Sequence, residues 1–434
     1  MFPGNTADRP NDSPLAFSDP PVYMKGRSYE RDTGEMDDQG TGDNGRTGGG
    51  DPRLNMMPVV FLTVIFFLNF ISRVILSPLM PSIEVDLGLG HGTAGSLFLF
   101  ITIGYFVSLV GSGFISSRIT HGSTIILSLV VIGCVMLLVS LAGSVQTIAL
   151  GMFLVGLATG FYLPSGIAAI TDLVHPSRWG RALAIHELAP NMAFLMAPLV
   201  AEALLVFFSW RGVLAAIGGV ALLAGVVFPR LCRAGDFRGQ RPDLRSALIL
   251  FRDPSFLIII VLFSLGIGST IGVYSMLPLY LVAEHGIERV EANTLVATSR
   301  LLTLGTVFLG GWAADHFGKM RTIRLVFFIT GITTILLGVV HAPWLKGVVL
   351  LQPLCSVCFF PAGFAVLSAI VPPASRNVAV SLSIPLAFLV GAGIFPAGIG
   401  VMGDMGLFGP SFLVIGGLIF AGTILPRFVR LKEG

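Results

Sequence analysis

Two arginines are the residues whose placement most demands a chemical reason. Arg73 and Arg300 stand inside long apolar runs. An ionisable side chain at the centre of a lipid-embedded helix costs about 2.5–3.5 kcal/mol on insertion scales. Arg73 lies about 16 residues into its run, some 24 Å along a helix that rises 1.5 Å per residue. Arg300 precedes Asp315 by about 15 residues, or about 22 Å from the same side. Two guanidiniums at one depth can each grip a carboxylate or similar oxyanion through paired N–H donors. The competing reading is that one or both snorkel to an interface or pair with a backbone carbonyl. Asn69 and Asn293 share the helix faces of Arg73 and Arg300 and are candidate ligands beside them.

A second group sits on the fifth apolar run, where His186, Glu187, Asn191 and Glu202 lie among Pro190 and Pro198. Burial favours the protonated form of a carboxyl, and imidazole exchanges protons near neutral pH. Glu187 and His186 are therefore the candidates for a coupling proton. Glu187 locked to Arg178 or Arg181 is the structural alternative. Glu202, near the far end of the run, reads as an interfacial residue. Tyr105, Tyr162, Tyr274, Tyr280 and Gln352 carry polar tips on apolar runs, where each either lines a cavity or packs between helices. Cys355 and Cys358 form a CxxC inside an apolar run with no further Cys or His partner, so no metal site is expected. No GxxxxGK[ST] phosphate loop is present, and neither ATP nor another cofactor is called for.

The elements that must position these residues follow from composition. The 434 residues are 54% hydrophobic and 12% charged, with mean hydropathy +0.85. That much apolar side chain exceeds what soluble cores of this size hide, so it faces lipid. A net charge of +3 is too small to imply a nucleic-acid partner. Twelve runs of about 18–27 residues from Met57 onward are each long enough to span a hydrocarbon core as a helix. Residues 1–55, rich in Gly, Asp, Pro and Arg, read as a disordered tail with no signal-peptide core. Of the 21 Lys and Arg beyond residue 55, sixteen fall in the even-numbered connections and the C-terminal tail, and three in the odd-numbered ones. By the positive-inside rule both termini lie on the cytoplasmic side of the cell membrane.

The run of connections divides six and six. A tail over 1–55 precedes a six-helix bundle over 56–230, a cytoplasmic central loop over 231–254, and a second bundle with a short tail over 255–434. A duplication is legible across the central loop. Gly113 with Ser117 and Arg118 matches Gly311 with Asp315 and His316, and Pro164, Gly166 and Pro176 match Pro361, Gly363 and Pro373 at nearly the same offset. Two homologous halves imply a central site at their interface.

The stretch Gly311-Trp-Ala-Ala-Asp315-His-Phe-Gly318-Lys319-Met-Arg321 resembles the loop signature of the major facilitator superfamily, and the resemblance covers nearly everything after Met56. It implies an all-α membrane protein with twelve transmembrane helices in two pseudo-symmetric six-helix bundles. It assigns Gly311, Asp315, Gly318, Lys319 and Arg321 to a gating cluster that stabilises one end state. The first-half copy departs from this pattern, with Ser117 for the acid, Thr120 for Gly318, and His121-Gly122 for the basic pair. Family geometry sets helices 1, 4, 7 and 10 around the cavity, which favours Tyr162, Tyr274 and Gln352 as lining residues. The Asn69–Pro78 run is similar to the first helix of anion porters, with Ser72 where an acid is usual.

These readings together imply a monomeric secondary active transporter that moves a small organic anion of carboxylate type by alternating access. Its partners would be the anionic solute, membrane lipid and H⁺ as coupling ion. An efflux pump for amphipathic, drug-like compounds is the alternative. A membrane enzyme would want a clustered His/Asp/Glu set, which seven scattered His do not supply, and a sensor would want a folded soluble domain.

Overall fold

The computed structural model describes residues 57–175, 178–232, 234–239, 249–372 and 376–430. The expected tail over 1–55 and much of the central loop lie outside the described residues. Among the described residues, twelve helices are long and apolar enough to cross a membrane: α1 Met57–Leu87, α2 His91–Ser116, α3 His121–Ser140, α4 Val145–Leu173, α5 Trp179–Leu205, α6 Trp210–Leu231, α7 Pro254–Ala283, α8 Arg289–Phe317, α9 Lys319–Val339, α10 Trp344–Ile370, α11 Val378–Asp404 and α12 Phe408–Phe428. Several outrun their apolar stretches. Hydropathy reports the lipid-facing portion of a helix, while hydrogen bonding carries the coil on into the interface. Helix α1 continues past Pro81 and stops at Gly88, which takes the left-handed conformation (φ 61°) that glycine adopts without a Cβ clash.

The twelve helices form two pseudo-symmetric six-helix bundles, and the packing partners repeat between them. Helix α2 packs on α4 and α3 on α6, as α8 packs on α10 and α9 on α12. Between the halves, α2 lies against α11, α5 against α8, and the second segment of α1 against that of α7. Glycine sets how closely some of these backbones approach. A Cβ on Gly156 of α4 would sit 1.9 Å from the Ile101 carbonyl of α2. At the α2–α11 seam, a Cβ on Gly95 would sit 2.3 Å from the Pro396 carbonyl, and one on Gly400 2.2 Å from that of His91. Small residues at such crossings are how membrane helices gain close packing without a hydrophobic drive.

Several of the helices around the candidate residues are interrupted, while α8, which carries Arg300, is continuous. α1 breaks at Ile75, α4 at Phe161 and α5 at Glu187, while α7 holds a π-helical turn at Gly268–Gly272 and α11 another at Leu389–Ile394. π-Turns release backbone groups from the regular ladder and recur at functional sites.

The bonds between the halves cluster at the end of the molecule that carries the odd-numbered connections. There the Gly92 N–H at the start of α2 donates to Asp404 Oδ2 at the end of α11 (3.0 Å), and Arg289 of α8 pairs with Glu202 of α5 at 2.6 Å. Asn293 donates to the same Glu202 oxygen and to the Pro78 carbonyl of α1 (3.1 Å). Nearby, Ser77 Oγ donates to the Tyr274 carbonyl of α7 at 2.8 Å. This end is sealed.

Candidate functional site

At mid-depth, α1 presents Phe66, Phe70 and Arg73 at spacings of four and three, which place them along one face. Arg73 is 8% exposed, and its guanidinium lies 4.5 Å from the Phe70 ring centroid and 4.2 Å from that of Tyr105 on α2. Arg300 of α8 is 5% exposed and sits 5.1 Å from the Phe194 ring of α5 and 4.7 Å from the Tyr274 ring of α7. Its Nη2 donates to the Thr270 carbonyl in the α7 π-turn (2.7 Å), an opening that a regular helix would not leave. The Nε of each arginine is buried with no hydrogen-bond partner. Among the described residues no carboxylate pairs with either guanidinium.

The two boxes touch through Phe70 and Phe194, whose rings meet edge-on at 5.2 Å. Phe194 in turn meets Tyr274 edge-on at 4.9 Å. Each arginine thus stands in its own pair of aromatic rings, one box dominated by each half. The structure brings them to neighbouring compartments divided by a two-ring wall.

Arg73 borders a small cavity of about 40 Å³ formed by α1, α2, α7 and α11. Apart from Arg73, Thr102 and Ser275, its walls are Phe70, Val74, Phe98, Ile101, Ile271, Phe388 and Ala392.

The remaining candidates make ties between helices. Asn69 Nδ2 donates to the Thr159 carbonyl of α4 (3.0 Å) and to Ser128 Oγ of α3. Tyr274 OH donates to the Phe194 carbonyl (3.3 Å). Gln352 Nε2 donates to the Ser269 carbonyl at the α7 π-turn (2.8 Å) and to Thr334 Oγ1 of α9. Asn293 sits at the sealed end, with Nδ2 engaged and Oδ1 unpartnered. Polar side chains in a membrane interior find protein partners because lipid offers none.

His186 is fully buried and stacks flat on Phe66, with centroids 4.3 Å apart. Tyr162 OH lies 2.7 Å from the Leu62 carbonyl and 3.1 Å from His186 Nε2. The hydroxyl has one hydrogen and donates it to the carbonyl, so Nε2 must carry the proton that meets the hydroxyl oxygen. This network leaves Nδ1 bare in the neutral ring. Nδ1 faces Glu187 Oε1 at 3.6 Å. Glu187 departs from the expected desolvated position, because its side chain is 59% exposed where the α5 break turns it out. Neither Arg178 nor Arg181 pairs with it among the described residues.

At the opposite end from the seal, Ala314, Asp315, Phe317, Gly318, Lys319, Met320 and Arg321 line an open recess of about 530 Å³ between α8 and α9. Gly318 takes φ 87°, the glycine-only conformation that turns α8 into α9. Asp315 is exposed and makes no ion pair among the described residues. The first-half counterpart is held differently. Residues 235–239 of the central loop lie along it, with His121 N–H donating to the Phe237 carbonyl, Gly122 N–H to that of Gly235 and Gly239 N–H to that of Ser116.

Sequence reasoning missed Phe70, Phe194 and the π-turn carbonyl of Thr270, which complete the arginine boxes. The spacing of Phe66, Phe70 and Arg73 is a signal that went unread, while Phe194 on α5 and Thr270 on α7 carry none.

Residues 62–354 and 274–433 match the model of the Major Facilitator Superfamily. Among solved structures, a bacterial homologue of the human lysosomal transporter Spinster, in an inward-facing and occupied conformation, superposes with TM-score 0.77 at 17% identity. That match covers 88% of this chain and 97% of the other. A D-xylose–proton symporter superposes with TM-score 0.70 at 18% identity over 86% of this chain and 97% of its own. The nucleoside transporter NupG does so with TM-score 0.72 at 14% identity, over 86% and 99%. At these identities the likeness is one of fold.

Proposed function

Since this chain belongs to the Major Facilitator Superfamily and is a secondary transporter, we propose that its cargo is a small organic anion of carboxylate type, moved by alternating access with H⁺ as coupling ion. The observation that carries this reading is the pair of guanidiniums, Arg73 and Arg300, buried from opposite halves without a carboxylate partner. Removing a charge from water costs several kcal/mol, and an aromatic face returns up to about 2 kcal/mol. An anionic solute supplies the missing counter-charge, and guanidinium donors match a carboxylate's two oxygens. Asn69, Tyr162, Tyr274, Gln352 and Asn293 act in this reading as the ties that hold the lining helices in place around it.

The coupling proton is assigned to the His186–Glu187 pair. Nδ1 and Oε1 are two acceptors facing each other at 3.6 Å, a place where one bound proton converts mutual repulsion into an ion pair. His186 stacks on Phe66, one helical turn from Phe70 and two from Arg73 on α1, so protonation and cargo binding act on the same helix. The solved symporter named for xylose and protons supports proton coupling as a use of this fold.

The excess of basic residues in the even-numbered connections supports placing those connections and both termini in the cytoplasm. The seal at the odd-numbered end is then the outer gate, and the exposed Asp315 and Arg321 with the half-buried Lys319 form the inner one. Residues 56–230 and 255–434 are the two bodies that rock, joined by 231–254.

Arg73→Ala and Arg300→Ala in proteoliposomes test the cargo assignment. Arg73→Ala is expected to abolish uptake of radiolabelled carboxylates and Arg300→Ala, which acts through the Phe194–Phe70 contact, to lower it; uptake undiminished in both variants refutes the assignment. His186→Gln or Glu187→Gln is expected to lose uptake driven by a pH gradient while retaining exchange of cargo across the membrane. Unchanged pH-driven uptake in both would remove the coupling assignment.

A further inference from the structure

The cavity beside Arg73 carries more information than the presence of a positive charge. Arg73 is its only ionised group, and the buried Nε has no partner. Thr102 and Ser275 are the only other polar side chains in the wall. Thr102 Oγ1 donates to the Phe98 and Leu99 carbonyls at 3.1 and 2.9 Å, and Ser275 Oγ to that of Ile271 at 2.8 Å. Their hydrogens are committed, so they offer an incoming ligand acceptor lone pairs alone. A second carboxylate, which only accepts, would find no donor there, and a desolvated polar group without a partner is strongly disfavoured.

The rest of the wall is aliphatic and aromatic. Arg300 is no substitute for a second anchor in this compartment, because the Phe70–Phe194 wall divides it off and its Nη2 is held by the Thr270 carbonyl. About 40 Å³ accommodates a water or two and no organic body. Two π-turns flank the space, one beside Ile271 and one beside Phe388. The second brings backbone so close that a Cβ on Gly393 would stand 2.1 Å from Thr102 Oγ1. π-Turns recur at functional sites, and a body larger than a water or two enters here only once α7 or α11 shifts.

Building on the anion reading above, we propose that this cavity is the binding site for a monocarboxylate with an apolar aryl or branched alkyl body. The carboxylate meets Arg73, and the body lies among Phe98, Ile101, Ile271 and Phe388. The site selects against dicarboxylates, because only one of its groups can hold charge, and against small inorganic anions, because they leave its apolar wall unfilled.

The test uses the full-length protein in detergent and proteoliposomes, with phenylacetate, acetate, succinate, nitrate and tetraphenylphosphonium as probes. Phenylacetate is expected to raise the melting temperature and to bind at least about tenfold more tightly than acetate or succinate, the scale of discrimination that one or more apolar groups give in a fitted pocket. Phe388→Ser is expected to narrow the phenylacetate–acetate gap to about threefold or less. Tighter binding of succinate or nitrate than phenylacetate overturns the monocarboxylate site and leaves the anion reading standing. Binding of tetraphenylphosphonium with no response to any anion overturns both. The ranking is read on the unmutated protein, so it does not depend on the variant folding.

Discussion

Glu202→Ala should tilt the conformational balance of this transporter measurably. Glu202 is 15% exposed, Arg289 30%, and their charged atoms are 2.6 Å apart across the α5–α8 seam. A fully exposed pair contributes about 0–1 kcal/mol, and breaking a fully buried one costs about 3–5 kcal/mol. The intermediate burial here places the loss at about 1–2 kcal/mol, moderated because Asn293 keeps its bond to the Pro78 carbonyl. The pair joins the two halves and can form only when the odd-numbered end is sealed. Its loss therefore acts on the ratio of sealed to open states, and about 1–2 kcal/mol corresponds to about 5- to 30-fold. Double electron–electron resonance between spin labels at Val85→Cys and Val290→Cys, in a background without native cysteine, reads that ratio. Both positions are exposed, one in each half. The variant should show a longer-distance population absent or minor in the parent, and raising ionic strength should shrink the difference, since the pair is partly wet. Identical distance distributions accompanied by a lower melting temperature would refute the reasoning, because the pair would then contribute to stability in both states alike.

Three further outcomes are expected. Gly156→Ala introduces a Cβ 1.9 Å from the Ile101 carbonyl, so α2 and α4 must separate, and detergent melting should register a loss of about 1–3 kcal/mol, as overpacking elsewhere gives. Gly235→Val should detach the central-loop strap, since its φ of 72° disfavours a β-branched residue and its Cβ would stand 2.9 Å from Gly122 N; limited proteolysis should cut the central loop faster, and an unchanged rate would deny the strap a bracing role. Burial, aided by neighbouring His341, holds the His285 imidazole below its ordinary value. The unfolded chain thus takes up this proton first, so stability from His285 is present above about pH 6.5 and falls as pH drops toward the lower folded value. His285→Gln should remove that part of the acid-induced fall in melting temperature.

The architecture was legible because twelve apolar runs and a skewed distribution of Lys and Arg are properties of the chain itself. Arg73 and Arg300 stood out for the same reason, since a guanidinium deep in an apolar run needs no alignment to be noticed. Their surroundings were not legible. Tyr105 meets Arg73 from α2 and Phe194 meets Arg300 from α5, and a hydrophobic pattern says which residues are apolar without saying which ring lies over which charge. The break at Glu187 likewise turned an expected buried carboxyl outward, because a helix read as continuous from hydropathy is two segments in space. The π-turns of α7 and α11 are invisible to periodicity for a similar reason. They change five or six residues within otherwise helical sequence.

The pseudo-symmetry sets side by side two seams of which, among the described residues, only one carries an ion pair. Helices α2 and α11 are the symmetry counterparts of α8 and α5, yet the two seams are held by different physics. At α2–α11 the glycines at 95 and 400 bring backbone against backbone, so beyond the Gly92–Asp404 bond at its end the attraction is dispersion at short range, which loses about a quarter to a half of its well within an ångström of separation. At α5–α8 the Glu202–Arg289 pair acts at longer range and weakens gradually as water enters. A rocking motion that parts both seams must lose the first abruptly and the second progressively. Backbone sliding along the glycine seam is consequently the cheaper course there, with α2 and α11 keeping contact while α5 and α8 separate. This order of events makes the Glu202 pair, rather than the tighter glycine seam, the contact whose strength sets how often the odd-numbered end opens.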